Sequence, residues 1–359
     1  MNECRSAALQ PEREKMAMRL LRAMMTGLIM VASAAALAQP TEPRLAGAAM
    51  PTHQAVKPFG VAGVFENRLD ATFGRARRDA TTRGKAELDR IAYYRFIYGD
   101  ATTTGNGTDG LYNNYRSRHR DYPDGDARSL HTFTADALVL KAHCGLETAK
   151  RSDCGDGNIE SGILRFALPI RPGSFIEIRC AMPKGIYAWP AFWLNPGEQF
   201  PSRAGAKAQV SVLDWPPEID IFDQFGFNNT KPGHYLVSGT PTNGRDADFG
   251  HPHDTFRDPD WGDKWYFQPK QDLTVGFHVY ALDWRQDNRL RFLLDGKVYR
   301  EMYFEWHSKG DTPAHLIASL QVAPKFNDLT GLTDQDGIPG GWDWPIDYIR
   351  VWTRAPGTE

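Results

Sequence analysis

FHVYALDWRQDNRLRFLLDGKVYREMYF, residues 277 to 304, reads as three strands joined by two turns. Apolar and polar side chains alternate along each arm with the two-residue period of a half-buried strand. RQDN at 285 to 288 parts the first two arms, and Asp295-Gly296, a dipeptide that accepts positive φ in a two-residue turn, parts the last two. An antiparallel meander follows. Working outward, HTFTADALVLKAH, ILRFALPI, SFIEIRCAM, AWPAFWL, PEIDIF, HLIASLQV and IDYIRVW repeat the same rhythm. So many short strands between Gly, Pro and Asn turns predict two antiparallel sheets packed face to face, an all-β sandwich. One short helix is expected within TRGKAELDRIAYYRFIY, 82 to 98, and no fixed-period repeat is present.

The chain has 359 residues, 41% of them hydrophobic and 12% aromatic, enough to bury one large core. Charged residues make up 24% and the net charge is −2, which gives no bulk attraction to nucleic acid or to an anionic membrane. The basic runs RARR at 75 to 78 and RSRHR at 116 to 120 read as solvated surface. Within residues 1 to 38, Arg19 and Arg22 precede the apolar run AMMTGLIMVASAAALA, which ends in Ala36-Leu37-Ala38. That is the pattern of a secretory signal peptide, too short for a membrane span, so a secreted or periplasmic monomer is expected. Residues 39 to 57 are Pro- and Ala-rich and read as a flexible spacer; the sandwich is expected over 58 to 354. Cys144 and Cys154 bracket a polar loop that suits a disulfide, whereas Cys180 lies in a strand and reads as a buried thiol. No CxxC pair suggests a zinc ribbon or thioredoxin-like site.

Chemistry concentrates in WPPEIDIFDQFG, 215 to 226, where Glu218, Asp220 and Asp223 stand on six positions of a strand-like run. Strand parity puts Glu218 and Asp220 on one face and Ile219 and Ile221 on the other. The same parity would bury Asp223 among the isoleucines, at a high desolvation cost. One extra residue, a β-bulge at Ile221 or Phe222, would return it to the acidic face. Three carboxylates in a row suit glycoside cleavage, in which one attacks the anomeric carbon and another protonates the leaving oxygen. A central acid would couple to both and help keep one of them protonated. A solvated strand face and a calcium site are the alternatives that the three acids alone leave open.

The run Trp215-Pro-Pro-Glu-Ile-Asp-Ile-Phe-Asp223 resembles the ExDxxE signature of glycoside hydrolase family 16, the laminarinase, agarase and carrageenase group. SGILRFALPI, YAWPAFWLNP, FHVYALDW, LLDGKVYR, HLIASLQV and IDYIRVW resemble that family in the same order, over about 130 to 354. The resemblance implies a concanavalin A-like jelly roll with a concave cleft, which cuts internal β-linkages of a polysaccharide with retention of configuration and needs no cofactor. Glu218 matches the nucleophile, Asp220 the helper acid and Asp223 the general acid/base. The family pattern has Glu at the last place, and Asp is shorter by about 1.5 Å. A retaining pair must converge to about 5 to 5.5 Å, so a shortened reach sets an active hydrolase against a carbohydrate-binding protein on the same scaffold.

All ten tryptophans lie at or after position 189. Indole faces stack on pyranose rings, and Trp193 and Trp215 match family positions that bind sugar, with Trp189 in the same parity as Trp193. Ser319 stands where laminarinases usually carry Asn, and Gln321 follows on the same face. Trp284 and Trp352, set in regular strand patterns, read as core. The polar, aromatic stretch 239 to 267, with His251 and His253, reads as a rim loop. A structural calcium ion on the convex side is common in this family, and Asp347 stands at the matching place.

Overall fold

A computed structural model describes residues 57–78, 80–94, 117–119, 122, 126–144, 159–184, 188–196, 217–224, 236–240, 266–308, 311–322, 341–355 and 357. The signal-peptide segment, most of the spacer, Cys154, Trp215, His251 and His253 lie outside the described residues.

In chain order the strands are β1 (Phe65–Thr72), β2 (Ala92–Tyr93), β3 (Ser117–His119), β4 (His131–Phe133), β5 (Leu138–Cys144), β6 (Ile159–Ser161), β7 (Ile163–Ile170), β8 (Ser174–Cys180) and β9 (Ala188–Pro196). They continue as β10 (Ile219–Asp223), β11 (Leu236–Gly239), β12 (Tyr266–Phe267), β13 (His278–Trp284), β14 (Arg289–Leu294), β15 (Lys297–Tyr303), β16 (Ala314–Val322) and β17 (Trp342–Arg354). One helix, α1 (Lys85–Leu88), precedes β2.

The strands form two sheets. The larger runs β15-β14-β13-β8-β17-β5-β6-β3, with β1 also on β17 and β4 also on β5; the smaller runs β12-β11-β10-β9-β16-β7-β2. Every pairing is antiparallel except β3 with β6. This is the predicted two-sheet sandwich. Between the sheets Ile176, Ile178, Leu282, Trp284, Ile349 and Val351 of the larger meet Leu164, Phe166, Phe192, Leu194, Ile219, Phe222 and Leu316 of the smaller in one apolar cluster. The fully buried Phe222 ring lies 4.8 Å from Tyr280 and 6.1 Å from Trp344, so it reaches across that core.

The meander read from 277 to 304 is β13-β14-β15, and Asp295 and Gly296 take φ of 48° and 76° at its tight turn. Trp284 and Trp352 are fully buried, and Cys180 is a buried free thiol. Two expectations are refined. The short helix expected within 82 to 98 forms but is limited to the four residues of α1, and Ala92–Tyr93 in the same stretch pairs with Arg165 and Phe166 of β7, because pairing and burial outweigh local helix propensity. HTFTADALVLKAH is two strands, since Thr134 turns the chain: its amide and hydroxyl both bond the Ala137 carbonyl.

The other face of the larger sheet carries charge. Arg354 Nη2 donates to buried Asp283 at 2.7 Å, Arg350 Nε to Asp70 at 2.9 Å, and Tyr348 to Glu177 at 2.6 Å. Phe59, in the segment before β1, closes over this face through its amide on Glu177 at 2.8 Å.

Candidate active site

The acids are placed by a break in strand pairing. Against β9, Ile219 pairs with Leu194 and Asp220 with Trp193, but Phe222, not Ile221, pairs with Phe192, and Asp223 with Ala191. Ile221 is therefore the extra residue, a β-bulge where parity demanded one. Both Ile221 and Phe222 enter the core between the sheets, while Asp223 swings out beside Ala191. Ala191, Trp193, Ile163 and Ile317 form a separate apolar cluster on the opposite face of the smaller sheet, with Trp189 packed against it. Glu218, Asp220 and Asp223 share that outer face.

Their electrostatics differ by position. Asp220 is 5% exposed; burial first, then the charges of Asp223 and Glu218, push its pKa well above the carboxylate range. Each of these influences, together with its hydrogen bond to Glu218, favours the protonated form of Asp220. Burial pushes Asp223 up to about 7, and the Trp189 indole N–H, which donates to its carboxylate, opposes that rise. The row thus couples Asp220, whose proton is favoured, to Asp223, a carboxyl poised for proton transfer.

Strand register assembles the rest of the face. Across β9 and β16, Trp193 stands opposite Ile317, Ala191 opposite Ser319 and Trp189 opposite Gln321. Trp189 is half-buried, so it combines a hydrogen bond to Asp223 with an accessible ring. Trp193 keeps 7% exposure and its Nε1–H donates to Ser319 Oγ at 3.3 Å. Ser319 is itself fully buried. Its hydroxyl holds the Trp193 indole from below, a different task from the sugar contact expected of it. Gln321 is 3% exposed, and its Oε1 has no hydrogen-bond partner among the described residues. The register also brings Asn195 and His315 opposite each other on this face, at the Glu218 end. Sequence reasoning passed over both; the signal was the same two-residue parity carried one step past Trp193 and Ile317.

Asp347 does not fit a calcium ligand. It sits at a bulge between Ile346 and Tyr348, and its Oδ2 is bonded by both Arg77 Nη1, at 2.7 Å, and Arg179 Nη1. Two guanidinium groups already balance the carboxylate and would repel a divalent cation. Among the described residues no group of three or more His, Cys, Asp or Glu could hold a metal ion.

Fold and site together define a class: a two-sheet jelly roll with a carboxylate row on the outer face of its smaller sheet. No protein-family model matches the chain. A β-glucanase of Rhodothermus marinus is 28% identical over 194 residues, covering 49% of this chain and 56% of that protein. A glucan endo-1,3-β-glucosidase of Cryptopygus antarcticus is 28% identical over 192 residues, covering 49% of this chain and 61% of that one. The chain thus spans between about half and three fifths of the length of these relatives. The catalytic domain of an endo-1,3-β-glucanase (laminarinase) from Thermotoga petrophila RKU-1 has the same fold, with a TM-score of 0.50 at 18% identity over 82% of this chain and 99% of that domain. The resemblance to glycoside hydrolase family 16 read from the motifs is supported by these sequence relatives, and the jelly roll by the shared fold.

Proposed function

We propose that the protein is an endo-acting glycoside hydrolase that cleaves internal β-glycosidic bonds of a glucan by retaining double displacement. The observation that carries this reading is the bulge at Ile221, which sets a protonatable Asp223 on one face with Asp220 and Glu218. Glu218 attacks the anomeric carbon while Asp223 gives its proton to the departing oxygen, breaking the glycosidic bond and leaving a glycosyl ester. Asp223, now a carboxylate, takes a proton from water as that water attacks the ester, which frees Glu218 and restores the acid. Asp220 donates its hydrogen bond to Glu218 in both steps and steadies the carboxylate as its charge changes. The Trp189 ring is placed to stack on a sugar. The relatives named for β-1,3-linked glucan support that linkage as the first substrate to try. Export by the signal peptide would bring the enzyme to a polymer too large to enter a cell.

The test is release of new reducing ends from laminarin, lichenan and other β-linked polysaccharides by purified protein, with product sizing to show internal cutting. Glu218→Gln is expected to lower kcat by roughly 10³-fold or more; full activity in that variant would remove Glu218 as nucleophile. Asp223→Glu decides between hydrolase and binding protein. In a hydrolase fitted to Asp it lowers the rate, by about tenfold for a misplaced proton donor, whereas activity that appears only in Asp223→Glu would mark a binding protein.

A further inference from the structure

The bulge that turns Asp223 outward needs a restraint, because an extra residue leaves its carbonyl outside the regular ladder. That carbonyl is met from the neighbouring strand. Ser238 of β11 lies between the register points Gly239, opposite Asp220, and Val237, opposite Asp223. Its Oγ donates to the Ile221 carbonyl at 2.8 Å, and both groups are buried. The Ser238 hydroxyl in turn lies 2.6 Å from the Tyr299 hydroxyl, which is also 3.5 Å from the Ile221 carbonyl. Since the Ser238 proton goes to Ile221, Tyr299 is the donor in the second bond, and a chain runs from Tyr299 O–H through Ser238 O–H to Ile221 C=O.

Tyr299 belongs to the other sheet, where it too sits at a break in pairing. In β15, Arg300 pairs with Phe292 and Val298 with Leu293, so Tyr299 is an extra residue. Two consecutive side chains, Tyr299 and Arg300, consequently point the same way, toward β11. Arg300 Nη1 donates to the Ser238 carbonyl at 2.6 Å. Phe267 stacks on the Tyr299 ring at 4.6 Å and 20°, which fixes its hydroxyl in line. One bulge in each sheet is therefore joined to the other through the two oxygens of a single serine.

The geometry points to Ser238, Tyr299 and Arg300 as positioning residues that lock the Ile221 bulge and so hold Asp223 on the catalytic face. This rests on the hydrolase reading of Asp223. Without the chain, the Ile221 carbonyl is left buried and unpaired, and the strand relaxes by letting water in or by slipping toward regular pairing. Either change hydrates or displaces Asp223 while leaving the sugar-contacting Trp189 on its own strand. The expected signature is a fall in kcat with little change in KM, together with a drop in the pH at which Asp223 loses its proton.

The experiment compares Ser238→Ala and Tyr299→Phe with wild type by steady-state kinetics and by carbon-13 NMR titration of the Asp223 carboxyl, assigned by its loss in Asp223→Asn. Each variant is expected to lose about 10- to 100-fold in kcat with KM within about twofold, the scale of a catalytic group displaced by about 1 Å. The Asp223 titration should move down by about one pH unit as water reaches it. A folded variant with wild-type kcat and wild-type Asp223 titration overturns the inference, even if it melts earlier, since that is what a merely structural contact predicts. Should Ser238→Ala fail to fold, Tyr299→Phe, which removes one hydroxyl and keeps the ring, supplies the same two readouts. If wild type releases no reducing ends, the hydrolase reading fails, while a displaced Asp223 titration in the variants still upholds the lock.

Discussion

In the proposed mechanism Asp223 stays protonated until the glycosidic oxygen departs, and its pKa of about 7 links that role to pH. The alkaline limb of kcat/KM is therefore expected at an apparent pKa near 7, belonging to the coupled row rather than to one carboxyl; activity unchanged to pH 9 would remove Asp223 as the acid. The same shift acts on stability. Burial raises the folded-state pKa from 3.8 to about 7, so the folded chain binds this proton more tightly than the unfolded chain does. The stabilising contribution is complete below about pH 4 and is lost as pH rises through 7, to a total of about 4 kcal/mol. Asp223→Asn stays neutral throughout, so its Tm should gain on wild type between pH 5 and 8, as differential scanning calorimetry would show; a constant difference across that range contradicts the burial of Asp223. Among the residues of the face, Glu218, Asp220 and Asp223 were legible because three charges on a strand call for a reason, and the resemblance of the surrounding motifs chose among the three that they leave open. Asn195 and His315 were not, since nothing in their identity separates a face residue from a buried polar one until the register is known.

Strand pairing explains what could and could not be read at the next level. Alternation in 277 to 304 and the Asp295-Gly296 turn specify the meander directly, and β13, β14 and β15 follow it. The bulge at Ile221 was also legible, because the alternative put Asp223 among isoleucines. Its counterpart at Tyr299 was not: on either side of that break the strand carries residues that suit both faces, and no buried charge betrays the shift. The turn feeding β15 offers a test. Gly296 has φ of 76°, and a Cβ there would meet Gly60 Cα and the Phe59 ring at 3.2 Å. Gly296→Ala should cost about 1 to 3 kcal/mol, read as a lowered urea midpoint. A variant as stable as wild type would mean that the segment carrying Phe59 does not pack on this turn.

Across the whole molecule, the ion pairs on the outside of the larger sheet differ in worth according to how far water reaches them. Arg354 and Asp283 are 4% and 2% exposed, so Asp283→Ala removes a buried anion from beside a buried cation and should cost about 3 to 5 kcal/mol. Arg77 and Arg179 are 36% and 35% exposed and can be hydrated when Asp347 is removed, so Asp347→Ala should cost only about 1 to 2 kcal/mol. Thermal melts of the two variants rank them; the reverse order would contradict the charge network described. Chelator is expected to leave the wild-type Tm unchanged, because the Asp347 charge is balanced by side chains. That balance was illegible in the sequence, where Arg77 lies 270 positions from Asp347 and only folding brings them together.

The pairing of β1 with β17 joins Phe65 to Arg354 and Thr72 to Tyr348. β17 also separates β8 from β5, so it stands at the centre of the larger sheet although it follows every other described strand in chain order. Closing a loop of that length costs entropy before any contact repays it, which places this fold among the slow ones. Until β17 is in place, the folding chain has two half-sheets and an uncovered core, an intermediate that a chaperone can hold.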